Sequence, residues 1–139
     1  MDSAIRRFAA VVTGVLIAAP LSAEPQPGSI EAAARIGAEH ESRLDRRSVA
    51  RFGDLLRYEV RVGWKDAALR PATQAPLRIV RYLARCESRE VSVAAVAVID
   101  TSGQMLKSYG VPPGAWEYAR PVEGSPEAEA LEAACRMPV

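Results

Sequence analysis

Apolar and polar side chains alternate with a period of two along much of this chain. Leu56, Tyr58, Val60, Val62 and Trp64 are interleaved with Arg57, Glu59, Arg61 and Gly63. A strand sends successive side chains to opposite faces, so the pattern predicts a strand over 55–64 with one buried and one wet face. Phe52-Gly53-Asp54 reads as a turn, with Gly53 supplying backbone freedom. Together they predict a hairpin from 44–50 into 55–64. In the next strand, 77–87, Val80, Tyr82, Ala84 and Cys86 share one face while Arg81, Arg85 and Glu87 lie on the other. Residues 91–100 are the most apolar run outside the N-terminal segment. Both faces of that run are apolar, which predicts a central strand covered on two sides. Thr101-Ser102-Gly103-Gln104 turns the chain into a last strand over 105–109. Val111-Pro112-Pro113-Gly114 breaks the sheet, and Trp116 is expected to anchor the core.

The helical period shows near the two ends. Ser125 suits an N-cap, Pro126 suits the first helical position, and Glu127 and Glu129 favour the positive end of the helix dipole. Ala128, Leu131 and Cys135 then fall on one face. Residues 30–45 are mixed. Their alanines and glutamates favour a helix, but Gly37 and the polar run after it do not. A helical first half passing into a short strand near 43–45 is expected. Residues 65–76 hold two prolines and no period, and read as a loop.

The first residues read differently. Arg6 and Arg7 precede Phe8–Leu21, an uncharged run of about 14 residues, shorter than the roughly 20 a spanning helix needs. Leu21-Ser22-Ala23 offers a small-residue exit. Basic head, apolar middle and small exit form the secretory pattern, with cleavage expected between Ala23 and Glu24. The chain thus divides into an export segment over 1–23, a flexible or partly helical lead-in over 24–42, and a domain over 43–139. No integral membrane segment is expected after cleavage.

Removing 23 of the 139 residues leaves 116, enough for one domain with a modest core. The removed segment carries Asp2, Arg6 and Arg7, so the chain's 18 basic and 17 acidic residues fall to 16 of each. That balance argues against a nucleic-acid or anionic-membrane binder, which needs a basic excess. Arg43, Arg46, Arg47 and Arg51 cluster locally and read as a solvated strand or turn surface.

Cys86 and Cys135 are the only cysteines. Two thiols in a small exported domain usually bridge. Cys86 lies on the inward face of its strand and Cys135 on the inward face of its helix, so a bond between them would tie the helix to the sheet. The predicted fold is α+β, an antiparallel sheet of about five to six strands with a C-terminal helix packed on it through that disulfide. A loop of about 50 residues closed this way is worth on the order of 4 kcal/mol on the chain-entropy model.

Reaction chemistry is hard to assemble from this chain. His40 is its only histidine. One histidine and two distant cysteines do not make a zinc site. In a polar run beside Glu39 and Glu41, His40 reads as a surface residue. No Gly-rich phosphate loop is present. The carboxylate pairs Glu39/Glu41 and Glu127/Glu129 are explained by solvation and capping. No catalytic, cofactor-binding or metal residue is assigned, and no enzymatic activity is expected.

Several segments nonetheless form a pattern: Leu44-Asp45-Arg46-Arg47-Ser48-Val49, Phe52-Gly53-Asp54, Cys86-Glu87-Ser88-Arg89 and Ile99-Asp100-Thr101-Ser102-Gly103-Gln104-Met105-Leu106. Trp116, Pro121, Ser125 and Ala130-Leu131-Glu132-Ala133-Ala134-Cys135 complete it. Over 43–135 the chain resembles the surface-adhesin protein E family of small exported Gram-negative proteins. It departs from the expected pattern at Arg85, where an acidic residue would precede the cysteine. A small exported neisserial-type family has a similar layout. The resemblance implies an antiparallel sheet with a C-terminal helix held across it by the disulfide. It also implies a periplasmic or outer-membrane-surface location and adhesion to a protein partner, such as a host matrix or plasma protein. Self-association as a homodimer is compatible with it. The alternatives are a structural periplasmic protein and an inhibitor of an envelope enzyme. No nucleic-acid partner and no cofactor are expected.

Overall fold

The computed structural model describes residues 29–139. The expected export segment and its expected cleavage point at Ala23–Glu24 lie outside them. The described chain runs α1 (Ile30–Ala34), β1 (His40–Phe52), β2 (Leu55–Trp64), β3 (Leu77–Arg85), β4 (Glu90–Ile99), β5 (Met105–Gly110) and α2 (Pro126–Cys135). Single 3-10 turns occur at Ala67–Leu69 and Pro113–Ala115. The fold is α+β. Five antiparallel strands form one sheet in the order β1-β2-β3-β4-β5, each strand pairing with its sequence neighbour.

Alternation decides which face is buried. Tyr58 lies opposite Tyr82 and Val60 opposite Val80, with Val96 continuing the row on β4. These side chains, with Leu56, Val62 and Ala84, form the inner face and are all buried. The Tyr58 and Tyr82 rings stack with centroids 5.5 Å apart. Burial pushes both phenols well above their ordinary range.

Both helices pack on this inner face. Ala130, Leu131 and Ala134 of α2 join the core, as does Ala34 of α1. The buried stripe of α2 is therefore centred on Ala130, Leu131 and Ala134; Ala128 and Cys135, expected to lead it, are half-buried at its margin. Its start follows the expected chemistry. The Ser125 hydroxyl accepts from the Ala128 N–H at 3.1 Å, and Pro126 opens the helix.

Cys86 and Cys135 are joined, with Cα atoms 5.8 Å apart. The bond ties the residue after β3 to the last residue of α2. Residues 30–42, read from sequence as lead-in, are part of the fold. Ala34 is core, and β1 pairs with β2 from His40 onward. The short strand expected near 43–45 is a thirteen-residue strand.

Three register shifts shape the sheet, one of them between Val98 and Ile99 where β4 pairs with β5. The β1–β2 register shifts between Asp45 and Ala50. Ser48 holds this bulge: its hydroxyl donates to the Asp45 carbonyl at 2.6 Å and accepts from the Glu59 N–H at 2.7 Å. Another shift falls opposite Arg81/Tyr82 on β4, where Ala94 is the extra residue. Gly53 turns β1 into β2 with φ +66°. In the β4–β5 turn, one Asp100 oxygen accepts from the Ser102 hydroxyl and from the Ser102 and Gln104 N–H groups. Those bonds, the Ser102 hydroxyl first, hold the Asp100 carboxyl below its ordinary value.

The outer face is covered unevenly. After β5 the chain crosses back over its lower half and returns to the start of β4, where Ala119 bridges Val91. Trp116 sits there, half-buried, beside Leu83, Ala94, Ala95 and Phe52, and its indole N–H donates to the Val111 carbonyl. Trp116 thus lines the outer face rather than anchoring the main core. No described helix lies over the upper half, which carries half-buried Leu77, Ile79, Ala97 and Ile99 and, at its edge, Met105, 61% exposed.

Removing the bridge should cost about 2–5 kcal/mol, the usual range for a small disulfide-bonded domain. Cys86→Ser is expected to lower the melting temperature and leave the Cys135 thiol titratable. Unchanged stability would mean that packing alone holds α2. Ser48→Ala should cost about 1–2 kcal/mol, because it leaves the Glu59 N–H unpaired. A denaturant titration checks this, and an unchanged midpoint would contradict it.

Candidate functional site

The densest grouping of polar chemistry lies where β1 begins. His40, read from sequence as a surface histidine, is buried at 7% exposure. The correction has a local cause. Gly37 to His40 forms a tight turn, with the His40 N–H donating to the Gly37 carbonyl at 3.0 Å. That turn feeds the ring onto the inner face, edge-on against Trp64 at 4.6 Å. The Gly37 N–H donates to His40 Nδ1 at 2.7 Å. Nδ1 is therefore an acceptor, the ring proton resides on Nε2, and the imidazole is neutral.

Arg78 of β3 stands beside it. One terminal nitrogen donates to the Ala33 carbonyl at the end of α1. The other lies 3.4 Å from both ring nitrogens of His40. Arg35 pairs with Glu39 at 2.9 Å on the exposed side. Burial, then the Arg78 charge, holds the His40 pKa below its ordinary value, against a weaker upward pull from Glu39. Burial, then Arg35, likewise lowers that of Arg78.

These groups open onto a cavity of about 460 Å³ between α1, the loop at 73–75 and the inner face of β4 and β5. Val98, Leu106 and Tyr109 supply apolar walls, and Lys107 lies at the rim. A second depression of about 420 Å³ lies between the two helices over Tyr82, Val91 and Val93.

The arginine cluster expected near residues 43–51 sits on the β1 bulge. Arg43 lies directly opposite Arg61 on β2. Arg43, Arg46, Arg47 and Arg61 surround a shallow depression with Asp45. Arg85, the departure from the expected pattern, stacks its guanidinium 3.9 Å from the Tyr118 ring centre and lies 3.8 Å from Glu90. It ties the returning segment to β3.

Among the described residues, no group of three or more His, Cys, Asp or Glu side chains is placed to hold a metal ion. No described helix is long and apolar enough to cross a membrane. Cys86 and Cys135 are brought together; no other sequence-assigned site residue falls within the described chain. The His40–Arg78 pairing was not legible in sequence. The one signal was an arginine at an inward strand position, two residues before Val80. Comparison with protein-family models, with curated proteins and with solved structures found no match.

A histidine kept neutral by burial makes stability depend on pH. Its folded pKa lies below the ordinary 6.5. The unfolded state therefore binds the proton more readily, and stability is complete above about 6.5 and falls as the pH drops through the folded value. The melting temperature should fall between pH 7 and pH 5. His40→Gln, which can still accept from Gly37, should flatten the profile over that window. An equal slope in both proteins would contradict this assignment.

Proposed function

We propose that this chain is a non-catalytic binding protein of the Gram-negative envelope, exported to the periplasm or the outer-membrane surface. In this reading it holds a protein partner, in keeping with its resemblance to surface-adhesin protein E. The observation that carries the reading is the upper half of the outer sheet face, which no described helix covers. Leu77, Ile79, Ala97 and Ile99 form a contiguous apolar surface there, extended by exposed Met105. Apolar surface gathered in one place, rather than scattered, is what a protein-binding face requires.

Two further features support it. The one histidine of the chain is occupied by Gly37, Trp64 and Arg78, which favours a structural over an acid–base role. The Cys86–Cys135 bond fits an oxidising compartment. The homodimer is a second occupant of the same face, and sedimentation of the purified protein separates it from a foreign partner.

The test is binding of the oxidised protein to immobilised matrix and plasma proteins, with Met105→Glu as the variant. Met105 is exposed, so the fold should tolerate the change. Saturable binding by the parent, weakened at least tenfold in the variant, is expected. Absence of binding by the parent, or equal binding by both, would contradict the reading. Protease accessibility on intact cells distinguishes surface display from periplasmic residence.

A further inference from the structure

The cavity beneath α1 lies on the inner side of the sheet, away from the apolar outer face. Its charge is one-sided. Among the described residues, Arg35, Arg78 and Lys107 line it and no carboxylate does. Glu39 neutralises Arg35. Arg78 has no carboxylate within ion-pair distance among the described residues. Its described partners are one backbone carbonyl and a neutral imidazole whose Nδ1 is already engaged by Gly37.

A guanidinium carries five N–H donors in a planar fork. Withdrawing it from water without an anion is costly. On the same strand, on the opposite face, Arg81 holds Glu59 at 2.9 Å. Arg78 instead faces an open volume of about 460 Å³, within the usual range for small-molecule sites. Ala32, Ala33, Val98 and Leu106 make much of the remaining wall apolar.

We propose that this cavity binds a small organic anion with a carboxylate head and an apolar body. The head meets the Arg78 fork, whose planar geometry matches a carboxylate. Lys107 adds a second, exposed charge that draws the anion to the rim. The hydrocarbon body lies along Val98 and Leu106. Neutral His40 backs the guanidinium without competing for the anion. The lowered pKa of Arg78 agrees with this picture: it reflects partial burial of the guanidinium and, after that, the nearby Arg35 charge.

Octanoate is the probe, with octanol and inorganic phosphate as controls. The protein is the full chain expressed with its export segment and purified with its disulfide intact. Octanoate should raise the melting temperature saturably and shift amide resonances at Ala33, Arg78 and Val98. Octanol lacks the charge and phosphate lacks the body, so each should bind at least tenfold more weakly. Tighter binding of phosphate than of octanoate would overturn the carboxylate assignment. Arg78→Gln should weaken octanoate binding at least tenfold. Lys107→Glu keeps the reading testable even if Arg78→Gln fails to fold, because Lys107 is exposed on an edge strand. It should weaken binding at least fivefold. No saturable shift at millimolar octanoate, or unchanged affinity in Lys107→Glu, would refute the site. Neither outcome bears on the outer-face partner, which Met105→Glu tests separately.

Discussion

Closure of the inner sheet face by α2, fixed by the Cys86–Cys135 bond, is the constraint on which the rest of this molecule depends. A single antiparallel sheet with one apolar face needs a second layer. Here that layer is only two short helices. α2 has ten residues and α1 has five. Isolated helices shorter than about 12–15 residues are marginal in water. Neither would persist without the packing of Leu131 and Ala134, or of Ala34, on the sheet. The bridge keeps α2 from leaving by tying its last turn to the end of β3, and a small core makes such a cross-link valuable.

Placing both helices on one side leaves the other side unevenly dressed. The segment after β5 returns across the lower outer face and seats Trp116 near Leu83. Arg85 and Tyr118 hold that segment down. Among the described residues the upper half receives no such cover. The functional reading and the fold are thus linked: with the helices committed to the inner face, the apolar stripe on β3 and β4 is left for something else. The same economy leaves Arg78 beside a cavity, because α1 is too short to roof the inner side of β4 and β5.

Strands were legible where one face is buried and the next wet. The rows Leu56–Val62 and Val80–Ala84 are the core because their period of two is unbroken. The N-cap at Ser125 and the cysteine pairing were also readable, since each depends on local chemistry or on a choice of one. The beginning of β1 was not. Its polar residues look like a loop, and pairing with β2 over His40–Asp45 overrides their weak propensity. His40 was misread for the same reason: a flanking pair of glutamates says nothing about a turn at Gly37 that aims the ring inward. Trp116 was expected in the core because large aromatics are usually buried. Its position depends on which side of the sheet the returning segment crosses, which no local pattern encodes. The cavity is assembled from α1, a loop and four strands, so only tertiary structure reveals it.

Amide hydrogen exchange, followed with the disulfide intact and after reduction, tests the central constraint most directly. Local stability is read residue by residue, so the helix and the sheet are seen separately. The account predicts that reduction strips protection from the Ala130–Cys135 amides first, while the β2–β3 amides around Val60 and Val80 keep most of theirs. Undiminished protection in α2 after reduction would contradict it, since packing would then hold the helix unaided. Equal loss in helix and sheet would contradict it as well, because the bridge would then be supporting the whole fold rather than pinning its second layer.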